Sequence, residues 1–244
     1  MEIKNTKSFL EFCKDVGIND VISKKPTYKF KKDAFDNEKD QKNQNRSNLS
    51  EKNDICRIEL IQNLKTKISN LNTNLRDTST NLVFSEGNIF SKIMLIGEAP
   101  GTEEDRLGIP FLGKSGKLLY QILGYLGLNK KNLYLTNLIF WRPPGNRTPK
   151  NEEVEICLPY TFEHIRIINP KFIIFLGGLA AKKILKINEN IIKLRGQEKI
   201  LEFNEKKIPT LTIYHPSFLI NNPIEKKQTW LDLTKIHSKL KKFM

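Results

Sequence analysis

Hydrophobic positions along this 244-residue chain switch between two periods. Ile58, Ile61, Leu64 and Ile68 recur three or four residues apart, which predicts a helix over residues 55–71. Phe9, Phe12, Cys13 and Val16 predict a short amphipathic helix over 8–16 in the same way. Between them, residues 31–54 carry few apolar side chains and cannot bury enough surface to offset the entropy of ordering, so they read as a flexible linker. The predicted division is a helical segment over 1–30, a polar linker over 31–54 and one folded domain over 55–244.

After a connector over 78–88 the pattern alternates. Short apolar runs at 93–96, 133–139, 172–176 and 208–213 read as buried strands, with a further strand at 200–203. Helical spacing appears at 116–126 (Leu118, Leu119, Ile122, Leu123), 150–168, 180–185 and 226–243. Strand–helix–strand repetition implies an α/β fold with a parallel sheet and right-handed crossovers. In such a sheet the C-terminal strand ends share one edge, where ligands bind. Here those ends carry Gly97-Glu98-Ala99-Pro100-Gly101, Asn137, Gly177-Gly178 and Tyr214-His215. A carboxylate, an amide and an imidazole from three strands are thereby expected to converge on one site.

Charge adds a class of partner. The formal net charge is +14, and residues 89–244 hold 25 Lys/Arg against 14 Asp/Glu, whereas residues 1–88 hold 16 against 13. The excess lies in the half expected to fold, which points to an anionic partner. The three cysteines, Cys13, Cys56 and Cys157, are far apart and form no CxxC pair, so neither a disulfide framework nor a zinc site is expected. No signal peptide or membrane-spanning run is evident, and a cytoplasmic protein is the expectation.

Three motifs carry candidate chemistry. Gly108-Ile-Pro-Phe-Leu-Gly-Lys-Ser115 matches the phosphate-loop pattern GxxxxGK[ST], but it follows an acidic stretch instead of a strand, and Pro110 removes an N–H that a phosphate nest would use. Asn137-Leu-Ile-Phe-Trp-Arg-Pro-Pro-Gly-Asn-Arg147 sets Arg142, Arg147 and Asn146 just beyond a strand end, a composition suited to phosphate contacts. Tyr214-His-Pro-Ser-Phe-Leu219 places an imidazole directly after a strand.

In this order and spacing, the four motifs GEAPGTEED, GIPFLGKSGKLL, Asn137…RPPGNR and HPS resemble a uracil-DNA glycosylase of the bacterial and archaeal family-four type, over roughly residues 80–240. The resemblance implies a three-layer α/β/α sandwich around a central four-stranded parallel sheet, and a DNA repair hydrolase acting on uracil flipped out of DNA. It implies that Phe111 stacks on the base, Asn137 bonds its Watson–Crick edge and His215 stabilises the departing anion. Glu98 or Glu104 would position water or support the cationic sugar. Gly97, Ala99, Pro100 and Gly101 would line the pocket and Asn146 would support it. Arg142, Arg147 and Ser217 would meet DNA, and Phe218-Leu219 would wedge into the base stack. A catalytically weak DNA-binding module and a glycosylase for another deaminated base, such as hypoxanthine, are the alternatives.

The chain also departs from this family. Members usually hold an iron–sulfur cluster on four cysteines, of which only Cys157 has a counterpart; Trp141 stands at the third position, and the stretch around Thr73 has no cysteine. No cluster and no other cofactor or metal is therefore expected. RPPGNRTP runs straight into the next predicted helix, without the insertion of a branch that stays covalently attached to DNA. The expected partner is uracil-containing DNA, engaged by a monomer, with the N-terminal segment available to a protein partner.

Overall fold

The computed structural model describes residues 44–244, with side chains from residue 54 onward. The predicted helix at 8–16 and the linker up to residue 43 lie outside the described residues. Helix α1 spans Gln44–Ser69. It starts eleven residues before its apolar stripe and takes in the last part of the stretch read as linker. Gln, Arg, Glu and Lys have good intrinsic helix propensity, so a helix can extend beyond its hydrophobic pattern.

The short helix α2 (Asn74–Thr78) leads into β1 (Ser85–Gly87) and β2 (Ile93–Gly97). Helices α3 (Thr102–Leu107) and α4 (Lys114–Tyr125) precede β3 (Tyr134–Asn137). A 3-10 turn, Pro144–Asn146, precedes α5 (Asn151–Ile168), β4 (Phe172–Leu176), α6 (Gly178–Leu185) and α7 (Ile191–Leu194). The chain closes with β5 (Glu198–Phe203), β6 (Lys206–Ile213), α8 (Pro216–Asn221) and α9 (Lys226–Lys241).

The sheet has six strands in the order β1-β3-β2-β4-β6-β5. Its four inner strands are parallel, as expected, and β1 and β5 are added antiparallel at the two edges. The expected four-stranded sheet is thus the centre of a six-stranded one. β5 joins through a tight hairpin in which Asn204 and Glu205 both take positive φ, the turn geometry that matches strand twist. β1 is only three residues long and polar, too short for a period to show.

Side chains alternate across the central strands. Met94, Ile96, Ile173 and Phe175 face a core completed by Leu64 and Ile68 of α1, Val154 and Ile165 of α5 and Ala180 of α6. Ile93, Leu95, Phe172 and Ile174 face a second core with Leu119 and Ile122 of α4 and Leu233 and Ile236 of α9. Helices on both faces give the three-layer α/β/α sandwich and leave the strand ends open. Among the described residues no helix is long and apolar enough to cross a membrane.

Candidate active site

β2 and β3 end level, with Gly97 paired to Asn137. The chain continues the register past the strands: Leu138 N–H donates to Gly97 O at 2.9 Å, and Ile139 N–H to Glu98 O at 3.2 Å. On the other side, Gly177 N–H donates to Ile213 O at 3.0 Å. The four strand ends thus frame a cavity of about 720 Å³. Glu98, Ala99, Pro100, Gly101 and Glu104 line one side. Phe111, Asn137, Asn146, Arg147, His215, Ser217 and Phe218 also line it.

Gly97 lies behind this lining. A Cβ at residue 97 would come within 2.4 Å of Asn137 Oδ1 and 2.9 Å of the Phe111 ring. Absence of a side chain there lets the amide and the ring pack directly on the strand end. Asn137 is 2 % exposed, and its Oδ1 has no hydrogen-bond partner. An unpaired buried acceptor is costly unless a ligand supplies the donor.

Phe111 is also buried, at a positive φ of 58°. For a bulky non-glycine residue this left-handed conformation is strained, by about 1–3 kcal/mol. Two features hold it. The α4 backbone approaches so closely that a Cβ at Gly116 would fall 1.9 Å from Phe111 O. The Glu104 carboxylate accepts Leu112 N–H at 3.0 Å and Gly113 N–H at 2.8 Å on Oε1, and Gly101 N–H at 3.1 Å on Oε2. Glu104 therefore ties the 97–101 loop to the loop carrying Phe111, and both of its oxygens are engaged.

Glu98 is placed differently. Oε1 accepts Leu179 N–H at 3.1 Å from the first turn of α6. Burial raises its pKa above the ordinary carboxylate range, with the Leu179 bond opposing the shift. Glu98 thus faces the cavity as a carboxyl with elevated basicity and one oxygen held in place.

His215 is the N-cap of α8. Its Nδ1 accepts Ser217 N–H at 3.2 Å and lies 2.7 Å from Ser217 Oγ. Accepting from a backbone N–H leaves Nδ1 unprotonated, so in the neutral ring the proton resides on Nε2. Burial lowers the imidazole pKa to about 4, against an upward pull from the Glu104 carboxylate. At neutral pH the ring is an uncharged donor through Nε2.

The arginines are restrained. Arg147 forms a bidentate pair with Glu153, which lowers the Glu153 pKa. Arg142 does not line the cavity; its Nε donates to Asn146 Oδ1 at 2.7 Å. Asn146 takes a positive φ of 55°, which asparagine tolerates, and its Nδ2 reaches Thr102 Oγ1 at 3.4 Å. The wedge assignment needs one correction. Phe218 is 40 % exposed at the cavity mouth, but Leu219 is fully buried in the core with Ile213 and Leu233. Consecutive residues of a helix point about 100° apart, so Leu219 is a packing residue and the exposed tip is Phe218. Sequence patterns did not mark Ile191, Ile192 or Glu225, which also line the mouth. An isolated pair of apolar residues and a lone glutamate carry no signal of their own.

Gly108–Ser115 follows helix α3, not a strand, and Gly108 and Gly113 cap α3 and α4, so this segment is no phosphate loop. The iron–sulfur positions also lack donors. Cys157 is fully buried in the same core as Trp141, and burial pushes its thiol up to about 11, so it is protonated at neutral pH. Thr73 instead caps α2, accepting Leu75 N–H on its hydroxyl. Among the described residues no three His, Cys, Asp or Glu side chains cluster as metal ligands. The residues present do not fit a four-thiolate cluster.

The chain is similar in sequence to known proteins. A family model for the uracil DNA glycosylase superfamily matches residues 84–234. The Type-4 uracil-DNA glycosylase of Sulfurisphaera tokodaii is 41% identical over 156 residues, 62% of this chain and 71% of that protein. That of Archaeoglobus fulgidus is 37% identical over 154 residues, 62% of this chain and 77% of the relative. The Type-4 uracil-DNA glycosylase of Thermotoga maritima is 39% identical over 142 residues, 58% and 72% of the two chains. The matched span holds every strand of the parallel sheet and every loop that frames the cavity, and the chain belongs to the uracil DNA glycosylase superfamily.

Proposed function

We propose that the protein is a uracil-DNA glycosylase that hydrolyses the N-glycosidic bond of uracil extruded from DNA and so initiates base excision repair. The carrying observation is the neutral His215, with Nε2 protonated and Nδ1 capped, in one cavity with the unpaired Asn137 Oδ1 and the Phe111 ring. Extrusion is required because the bond is unreachable inside a duplex. Phe111 stacks on the base, and the Asn137 amide pairs with its Watson–Crick edge, accepting from N3–H. As the C1′–N1 bond breaks, the electron pair moves onto the base and His215 Nε2–H donates to O2, stabilising the anion without complete proton transfer. The cationic sugar is then captured by water, whose proton passes to Glu98.

Glu98 is favoured over Glu104 for that step because both Glu104 oxygens are occupied by backbone N–H groups. Arg142, Arg147, Ser217 and Phe218 meet the DNA around the cavity, with Gly97, Ala99, Pro100, Gly101 and Asn146 shaping its wall. The enzyme acts as a monomer, with its catalytic unit in residues 55–244. No cluster takes part, since the donor set above offers a single protonated thiol. Iron and sulfide analysis of anaerobically purified protein is expected to find neither, and stoichiometric iron would refute this part of the proposal.

The test of function is incubation with labelled oligonucleotides containing uracil, hypoxanthine or a thymine mismatch, followed by alkaline cleavage of abasic sites. Cleavage at uracil is the expected result. Cleavage at hypoxanthine alone would move the specificity, and DNA binding without cleavage at any of the three would identify a binding module.

A further inference from the structure

Ile192 stands out at the cavity mouth: it is 67 % exposed, yet it is carried on a rigid mount. Asn190 caps the single turn of α7, its Oδ1 accepting Ile192 N–H at 3.0 Å, and Arg195 N–H closes the turn on Ile191 O at 2.8 Å. On either side of Ile192 the turn is anchored inward. Ile191 packs on Gly178, and Leu194 is fully buried. Arg195 Nη2 donates to Asp232 at 2.7 Å, where Asp232 is 1 % exposed, and its guanidinium lies 5.4 Å from the Tyr214 ring centre. Tyr214 in turn packs on Phe218 at 4.8 Å between ring centres.

A single exposed aliphatic side chain is ordinary on a protein surface, and Ile192 is set apart by its place in the cavity lining together with the exposed Phe218. Two observations select the occupant. Ile192 and Phe218 both line this cavity and are both exposed, so a ligand seated there can meet both. The domain as a whole is strongly cationic, which favours association with the phosphate backbone of DNA. We infer that Ile192 is a second apolar wedge, which inserts against the base stack of duplex DNA next to the extruded nucleotide and fills space that the base vacates. This extends the uracil-excision reading and rests on it. A wedge lowers the net cost of unstacking, a cost that a single strand does not impose to the same degree.

The experiment compares wild type, Ile192→Ala and a control, Ile200→Ala, whose side chain is 52 % exposed on edge strand β5 away from the cavity. Single-turnover uracil excision is measured on matched duplex and single-stranded oligonucleotides, together with the fluorescence of a 2-aminopurine placed beside the uracil in the duplex. Ile192→Ala is expected to lower the duplex-to-single-strand rate ratio about 10-fold and to weaken the 2-aminopurine brightening, with the ratio for Ile200→Ala matching wild type. An unchanged ratio for Ile192→Ala, or an equal drop for Ile200→Ala, would overturn the inference. If wild type excises uracil from neither substrate, the functional reading fails separately. The fluorescence then decides on its own: brightening that Ile192→Ala loses supports the wedge, and its absence in wild type refutes it.

Discussion

The two sides of the cavity are built in opposite ways. The side from β2 to α4 is wired by hydrogen bonds: one carboxylate, Glu104, gathers three backbone N–H groups and fixes the strained Phe111. The side from α7 to α8 is held by packing and one ion pair, and presents exposed apolar tips at Ile192 and Phe218 with one imidazole between their elements. The difference separates two tasks. Recognition of a flat base needs a platform fixed to a fraction of an ångström, which directional bonds supply. Engagement of a duplex needs apolar surface that exchanges water for base faces, which protruding aliphatic and aromatic groups supply.

Substitutions can break this division, and the largest loss is expected on the base-reading side. Asn137→Ala should cut uracil release about 1000-fold while DNA binding persists, since it removes recognition of the base edge. Wild-type-like release would contradict the assignment. Next comes the clamp. Glu104→Gln keeps size but loses the charge that accepts three donors, and should slow excision about 10- to 100-fold. Because Glu104 acts through Phe111, the double variant Glu104→Gln/Phe111→Ala should be no slower than Phe111→Ala alone. Additive losses in that cycle would show that Glu104 acts on water or on His215 instead.

A smaller contrast lies within α8. Leu219→Ala should lower folding stability by about 2–5 kcal/mol, as expected for a buried leucine. Phe218→Ala should leave stability within about 1 kcal/mol and weaken duplex binding. Denaturant unfolding of both variants checks the pair, and equal destabilisation would refute the split.

A further expected effect is a dependence on pH. His215 and His164 both titrate below the ordinary histidine range, at about 4 and about 3, because burial disfavours their cations. For such groups the unfolded chain binds the proton first. Stability is therefore full above about pH 6.5 and falls as pH drops toward 4 and 3, by up to about 1.4 kcal/mol per pH unit for each ring. His164 sits between Phe84, Phe140 and the Tyr134 hydroxyl, which is 2.9 Å from its Nδ1. His164→Gln should flatten the acid slope measured by thermal unfolding between pH 6.5 and 4, and an unaltered slope would remove His164 as a cause.

Much of the sheet was legible in the sequence because β2 and β4 are continuous apolar runs buried on both faces, and because β3 and the second half of β6 are buried segments in which Leu, Ile and Tyr are interspersed with threonine. β1 was not, since Ser85–Gly87 has no apolar pattern and exists through its pairing with β3. α3 was hidden for a related reason: TEEDRL holds one apolar residue, and its geometry depends on Glu104 reaching Gly101 and the loop beyond. The site residues were legible by type and position at strand ends. Their division of labour was not, because the partners of Glu104 are backbone N–H groups, which every sequence contains. Phe218 and Leu219 could not be told apart for lack of a second helical turn to set the face, and Ile192 could not be marked because its meaning lies in exposure.

The most direct test of the account is the single-turnover rate of uracil release by His215→Ala from a uracil-containing oligonucleotide, with DNA affinity measured in parallel. Loss of the Nε2–H donor is expected to slow release about 100- to 1000-fold with affinity within a few-fold of wild type. Release at the wild-type rate would contradict the claim that a neutral imidazole at the end of β6 stabilises the departing base.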